Sequence, residues 1–160
     1  MKIDEVDIEA LEGHQLIVGQ SHFIKSVEDI YETLATSMPG VKFGVAFAEA
    51  SGKALVRYDG TDDELAKLAS GYAARIGAGH TFVVVLSGAF PINVLNRLKA
   101  VEEVAQIFCA SSNPVTVLVA DNGTGRGVLG VIDGISPKGI EGDQDKQDRR
   151  EFLRKIGYKR

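Results

Sequence analysis

The residues of this 160-residue chain with chemical potential are three histidines, one cysteine and a few cations set among glycines. His22 lies in Gly19-Gln20-Ser21-His22-Phe23-Ile24-Lys25-Ser26, between a strand-like stretch and the clearest helical periodicity in the chain. A helix start presents unpaired amides and the positive end of the helix dipole. Here Ser21, His22 and Lys25 add a hydroxyl, an imidazole and a charge, so that a phosphate could be held. The plainer alternative is a capped helix start with an incidental histidine. His80 follows Gly77-Ala78-Gly79 at the mouth of the most apolar stretch, where small residues leave room for a ligand or another backbone. Alternation places it with Phe82 and Val84 on one face. A structurally hydrogen-bonded histidine is the plainer reading of His80. The functional one is a nucleophile, because neutral imidazole is available near pH 7 and can attack phosphorus. His14 falls in a connection between strands and is assigned no role.

Other patterns carry less. Gly125-Arg126-Gly127-Val128-Leu129-Gly130 matches G-x-G-x-x-G, but a dinucleotide site needs a strand before it and a helix after it. The next residues, Val131-Ile132-Asp133-Gly134, are β-branched and broken by glycine, so turn plus strand fits better. Arg126 stays a candidate anion contact in a glycine-rich turn, with a solvated turn arginine as the alternative. No P-loop and no G-x-S-x-G occurs. The histidines lack metal-ligand spacing, and Asp62-Asp63 and Glu102-Glu103 are expected as helix-end charge and a solvated turn, so no metal site is expected. Cys109, in an apolar run, is expected to be a buried small hydrophobe.

The elements that must position these groups can be read from periodicity. Ile3 to Ile8 and Gln15 to Val18 predict strands joined through Glu12-Gly13. Val27, Ile30, Tyr31, Leu34, Ala35 and Met38 predict a helix behind Ser26 as N-cap, with Asp29 three residues on. Val41 to Ala48 and Ala54 to Tyr58 predict an antiparallel hairpin around Ser51-Gly52. Thr61-Asp62-Asp63-Glu64 is a capping pattern for a second helix that stops at Gly77. Phe82 to Leu86, apolar on both faces, predicts a central strand covered on both sides. Pro91 opens a shorter helix to about Ala100. Ile107 to Ala110 is a short strand, and Val115 to Ala120 with Val128 to Ile132 predict a second hairpin. A final amphipathic helix over 145–156 is expected to lie on the body. The expected fold class is α/β (α+β): one domain over 1–160, with helices packed on a mixed β-sheet.

Composition narrows the partners. Eighteen Lys and Arg against 22 Asp and Glu leave a formal charge of -4, without the basic field of a nucleic-acid binder. The N-terminal residues lack a signal-peptide pattern and no apolar run is long enough to span a membrane. With a single cysteine, a reducing, cytoplasmic setting is expected, with no nucleic acid polymer and no membrane as partner.

Several segments together resemble the adenosine-specific kinase family of small archaeal and bacterial proteins. They are Gly19 through Asp29, Gly77-Ala78-Gly79-His80-Thr81-Phe82, Ala89-Phe90-Pro91-Ile92-Asn93-Val94-Leu95-Asn96, Phe108-Cys109-Ala110 with Asn113-Pro114, Gly125 through Gly134, and Arg154-Lys155-Ile156-Gly157-Tyr158. The resemblance implies an α/β domain that binds adenosine and AMP and carries a phosphorylatable histidine. It therefore implies a phosphotransferase acting on adenosine or AMP through a phosphohistidine, at His80 or His22. Ser21, Lys25 and Arg126 would then offset phosphate charge, with Lys138 as a further contact or a plain surface lysine. Asn93 and Asn96 would read the adenine edge or the ribose, or serve as caps and turn residues. Mg²⁺ would enter only with the phosphate donor, and a homo-oligomer is expected. The alternative is a non-catalytic sensor that binds adenosine or AMP without turnover.

Overall fold

Val83 to Leu86 is fully apolar, and it forms the middle of the larger of two sheets. The computed structural model describes residues 1–9 and 11–160. Along the chain lie β1 (Lys2–Ile8), β2 (His14–Ser21), α1 (Ser26–Ser37), β3 (Lys42–Ala48), β4 (Val56–Gly60), α2 (Asp63–Ile76) and β5 (Thr81–Ser87). A 3₁₀ turn at Pro91–Asn93 leads into α3 (Leu95–Lys99), then β6 (Val104–Ser111), β7 (Val115–Asp121), β8 (Arg126–Asp133) and α4 (Asp143–Lys155). The larger sheet has the order β4-β3-β5-β2-β6 and the smaller one β1-β7-β8.

The expected α+β domain is what folds, with its strands divided between two sheets and every strand pair antiparallel. Alternating strand and helix patterns cannot by themselves tell parallel from antiparallel pairing, which is why one mixed sheet was expected. Both predicted hairpins form. The first two strands do not join one sheet. β1 instead pairs along its length with β7, Lys2 opposite Asp121 and Ile8 opposite Val115.

Two cores flank the larger sheet. On one side Leu16, Val18, Val83 and Val85 meet Leu65, Ala69 and Ile76 of α2 and Val6, Val117 and Val119 of the smaller sheet. On the other side Ile17, Phe47, Phe82 and Val84 meet Val27, Ile30 and Leu34 of α1 and Leu98 of α3. This double cover explains why β5 reads as continuously apolar, while β2 alternates Leu16 and Val18 with Ile17. Gly44 lets α2 approach β3. A Cβ there would stand 2.2 Å from the Leu65 carbonyl.

Helix ends differ in detail from the sequence expectation. α2 is capped by Asp62, whose carboxylate accepts the N–H groups of Glu64 and Leu65 at 3.1 Å, and it ends at Gly77 with φ 63°. Thr61 is used elsewhere: its hydroxyl donates to the Val41 carbonyl and accepts from the Phe43 N–H. At α1 the cap position belongs to Lys25, with no side-chain cap bond. Ser26 is the first helical residue, buried, and turned inward to donate to the Phe23 carbonyl. The C-terminal helix runs over Asp143–Lys155 and none of its residues is buried.

Candidate functional site

The two glycine-flanked histidines, far apart in sequence, meet at one edge of the larger sheet. The Ser21 N–H donates to the His80 carbonyl at 2.9 Å, and the His22 N–H donates to the Glu103 carbonyl at 3.1 Å. Alternation along β2 points Ile17, Gly19 and Ser21 toward α1. The bare Gly19 makes room for the Phe82 ring, since a Cβ there would lie 2.4 Å from its Cζ. Register shifts against β6 fall at Val18/Gly19 and at Gln20/Ser21, so the strand departs from regular pairing just where the site begins.

His80 is held in an unusual way. The Thr81 N–H closes a turn onto the Ala78 carbonyl at 3.2 Å, and His80 occupies the third position with φ 65°. Glycine or asparagine normally fills that left-handed place, because a Cβ is disfavoured there. His80 keeps the conformation through its N–H bond to the Ala48 carbonyl at 2.7 Å and by stacking on Phe47, centroids 5.9 Å apart and 18° from parallel. β5 begins at Thr81, so His80 reaches the Phe82 side of the sheet through this turn and not by strand alternation. Its ring is half-buried, whereas His22 is exposed.

Beneath the histidines lies a group that the sequence concealed. Ser21 and Ser26 are both fully buried with their hydroxyl oxygens side by side, and the Ser21 hydroxyl donates to the Glu103 carbonyl at 3.1 Å. Lys25 Nζ stands 3.0 Å from Asp29, 3.8 Å from Glu103 and 3.9 Å from Glu102. Glu102 fits the solvated turn expected for the pair, but Glu103 is only 2% exposed. The solvated-turn reading of Glu103 is thus corrected. Its neighbours Val101 and Val104 are partly covered, and the chain turns the carboxyl inward against α1. Burial pushes the Glu103 carboxyl above the usual carboxylate range, with Asp29 adding to the effect. The hydrogen bond from Lys25 holds Asp29 below its usual range, and Asp29 in turn raises Lys25. Asp29 and Glu102 neutralise Lys25, which weakens it as a phosphate contact. The acidic residue expected in a capping box, Asp29, works as its ion-pair partner.

Other candidates are dispersed. Arg126 packs its guanidinium on Gly77, three residues before His80, and donates to the Arg75 carbonyl at 3.2 Å. It also pairs with Asp4 at 3.4 Å and Asp121 at 3.8 Å. Asn93 Oδ1 accepts the Phe90 N–H at 2.9 Å and so caps the 3₁₀ turn. Asn96 and Lys138 are exposed. Among the described residues no group of three or more His, Cys, Asp or Glu is arranged to hold a metal ion. Cys109 packs partly against the core, and burial pushes its thiol up to about 11.

An open cleft of about 580 Å³ lies beside the ion pairs, lined by Lys25, Asp29, Arg97 and Glu102, and two others have different linings. One, of about 400 Å³, lies between the start of α1 and β4 and is lined by Ile24, Val27, Arg57 and Tyr58 among others. Neither histidine lines it, but Ile24 is two residues from His22, and Arg57 pairs across from Phe47, on which His80 stacks. The other, of about 1170 Å³, is mainly apolar and lies between Phe90, Ile92, Ser111, Asp133, Phe152 and Tyr158. Gln15 lines it while Ser21 is at the histidine edge, so about 20 Å of strand separates the two.

Two antiparallel sheets, with helices on both faces of the larger one, define a single-domain α+β protein whose two histidine segments join beside a helix start. The chain belongs to the adenosine-specific kinase family, whose description, "Adenosine specific kinase", attaches to a match over residues 6–159. It is similar to the crystal structure of the PH1918 protein from Pyrococcus horikoshii OT3, with 48% sequence identity and a TM-score of 0.95. That likeness covers 99% of this chain and 98% of the other. No curated protein matches the chain. No helix among the described residues is long and apolar enough to cross a membrane.

Proposed function

We propose that this protein transfers a phosphoryl group to or from adenosine or AMP through a phosphohistidine, with His80 as the nucleophile and His22 beside it. The observation that carries the reading is the junction of the two histidine segments through Ser21 at one sheet edge. Family membership supports the substrate. An imidazole nitrogen of His80 forms the P–N bond as the donor's P–O bond breaks. The nucleoside 5′-hydroxyl then attacks phosphorus, loses its proton and displaces the imidazole.

The cleft of about 400 Å³ is of a size to take a nucleoside, and Tyr58, 53% exposed, presents a ring on which a purine can stack. Arg57, tied to Glu49 at 3.1 Å, lines the same cleft and brings a fixed guanidinium to its wall. Self-association belongs to the same reading. Leu129, Ile132, Ile135 and Ile140 are exposed along edge strand β8 and the segment after it, an apolar surface that a second copy would cover.

Calorimetric titration with adenosine, AMP, ADP and ATP, joined to intact-mass analysis after incubation with each, tests the proposal. Selective adenosine or AMP binding, weakened about tenfold in Tyr58→Ala, and an adduct mapping to His80 are expected. Selective binding with no adduct from any donor would convert the reading into a sensor, and no binding would end it.

A further inference from the structure

Glu103 holds the histidine edge at two levels. Its main-chain carbonyl accepts the His22 N–H and the Ser21 hydroxyl, both at 3.1 Å. Its side chain, 2% exposed, has neither carboxylate oxygen served by a donor. The one cation in reach, Lys25 at 3.8 Å, is already engaged with Asp29 at 3.0 Å. An ionised Glu103 would therefore be a buried charge without adequate compensation, and buried groups in that position neutralise. A neutral carboxylic acid gains an O–H donor, and the carboxylate on hand to accept it is Asp29, which shares Lys25 Nζ with Glu103 at 3.0 Å against 3.8 Å. One residue then ties the start of β6 to both ends of the segment 21–29.

We propose that Glu103 is a positioning residue for the histidine edge: as a neutral acid donating to Asp29, it fixes Ser21 and His22 and keeps surplus negative charge away from the phosphoryl group. The inference rests on the reading of this edge as the place of phosphoryl transfer. A phosphoryl group brings up to two negative charges, and the one cation facing Glu103, Lys25, is already paired with Asp29. From α1 come Asp29 and its cap Lys25, and from the same turn the exposed Glu102, while the Arg97 cation of α3 is directed to the Ser37 hydroxyl at 2.8 Å rather than to Glu103. β2 contributes only the Ser21 hydroxyl and the main chain leading to His22. Loss of the shared proton would put a net negative charge under the histidines and push Glu103 from Asp29.

The test compares wild type with Glu103→Gln, whose amide keeps a neutral donor toward Asp29, and Glu103→Ala, which has none. Amide resonances of Ser21 and His22 are followed by NMR across pH, and histidine phosphorylation by phosphoramidate is followed by intact mass. In wild type the two amides are expected to titrate together above the ordinary carboxylate range. That transition should vanish in Glu103→Gln. Phosphorylation in Glu103→Gln should stay within about twofold of wild type and lose its alkaline decline, while Glu103→Ala falls about tenfold. An unchanged amide titration in Glu103→Gln, or equal loss in both variants, overturns the inference. Should Glu103→Ala fail to fold, the glutamine variant decides alone. A wild type that takes no phosphoryl group overturns the phosphotransfer reading instead, and the amide titration then judges the Glu103–Asp29 contact separately.

Discussion

His80 stacks on Phe47 with ring centroids 5.9 Å apart while its own backbone sits at φ 65°, so a side chain occupies a turn position suited to glycine. Such a conformation costs about 1–2 kcal/mol in a residue bearing a Cβ and persists only where the surroundings fix it. His80→Asn, which tolerates the left-handed region, should change the melting temperature by less than about 4 °C. It should also abolish the phosphate adduct. A folded Asn variant that still acquires the adduct would move the nucleophile to His22.

Close approach of α2 to β3 gives a prediction away from the site. In Gly44→Ala the new Cβ meets the Leu65 and Ala66 backbone at 2.2–2.4 Å, and a helix backbone cannot yield as a flexible side chain does. Overpacking of this kind should cost about 3 kcal/mol, read as a drop of roughly 6–12 °C in melting temperature. A shift below about 2 °C would show that α2 can slide on the sheet.

Glu103 and Asp29 give stability opposite dependences on pH. The Glu103 carboxyl is raised in the fold, so its contribution is full below the unfolded carboxyl range and is lost as pH rises through the folded value. Asp29 is lowered, so its contribution is present above that range and lost on acidification through its folded value. Denaturation followed across pH should therefore show a decline as pH rises above the unfolded carboxyl range that Glu103→Gln removes, leaving the acid limb in place. Persistence of this decline in that variant would assign it to another group.

Cys109 should be chemically quiet. Burial pushes its thiol up to about 11, so thiolate is scarce at pH 8. Alkylation by iodoacetamide should run about 100-fold slower in the native protein than in the denatured one, a ratio set by thiolate fraction. Native rates within a factor of about three of the denatured rate would show that the β2–β6 region opens readily.

The elements were legible because each is set by short-range pattern. Val27, Ile30 and Leu34 recur at helical spacing, and all three are buried in α1. Asp62 and Gly77 mark the ends of α2 by capping chemistry that needs no tertiary partner. The doubly apolar run of β5 announced a strand covered on both faces, and the glycine-rich turns announced the hairpins. The histidine segments were singled out by residue type, and the family by the same stretches.

The amino-acid sequence by itself thus determined the local elements, the α+β class, the membership of the family and the histidines worth attention. Tertiary structure decided who meets whom. Periodicity states which face of a strand is buried but not which strand lies beside it, so β1 finding β7 more than a hundred residues away was invisible. The same holds for the junction of Ser21 with His80 and for the closure of Arg126 by Asp4 and Asp121. Glu103 is the sharpest case. A glutamate in an acidic pair at a turn carries the local signature of a solvated charge, and only the packing of β6 against α1 removes it from water and makes a proton its counter-charge.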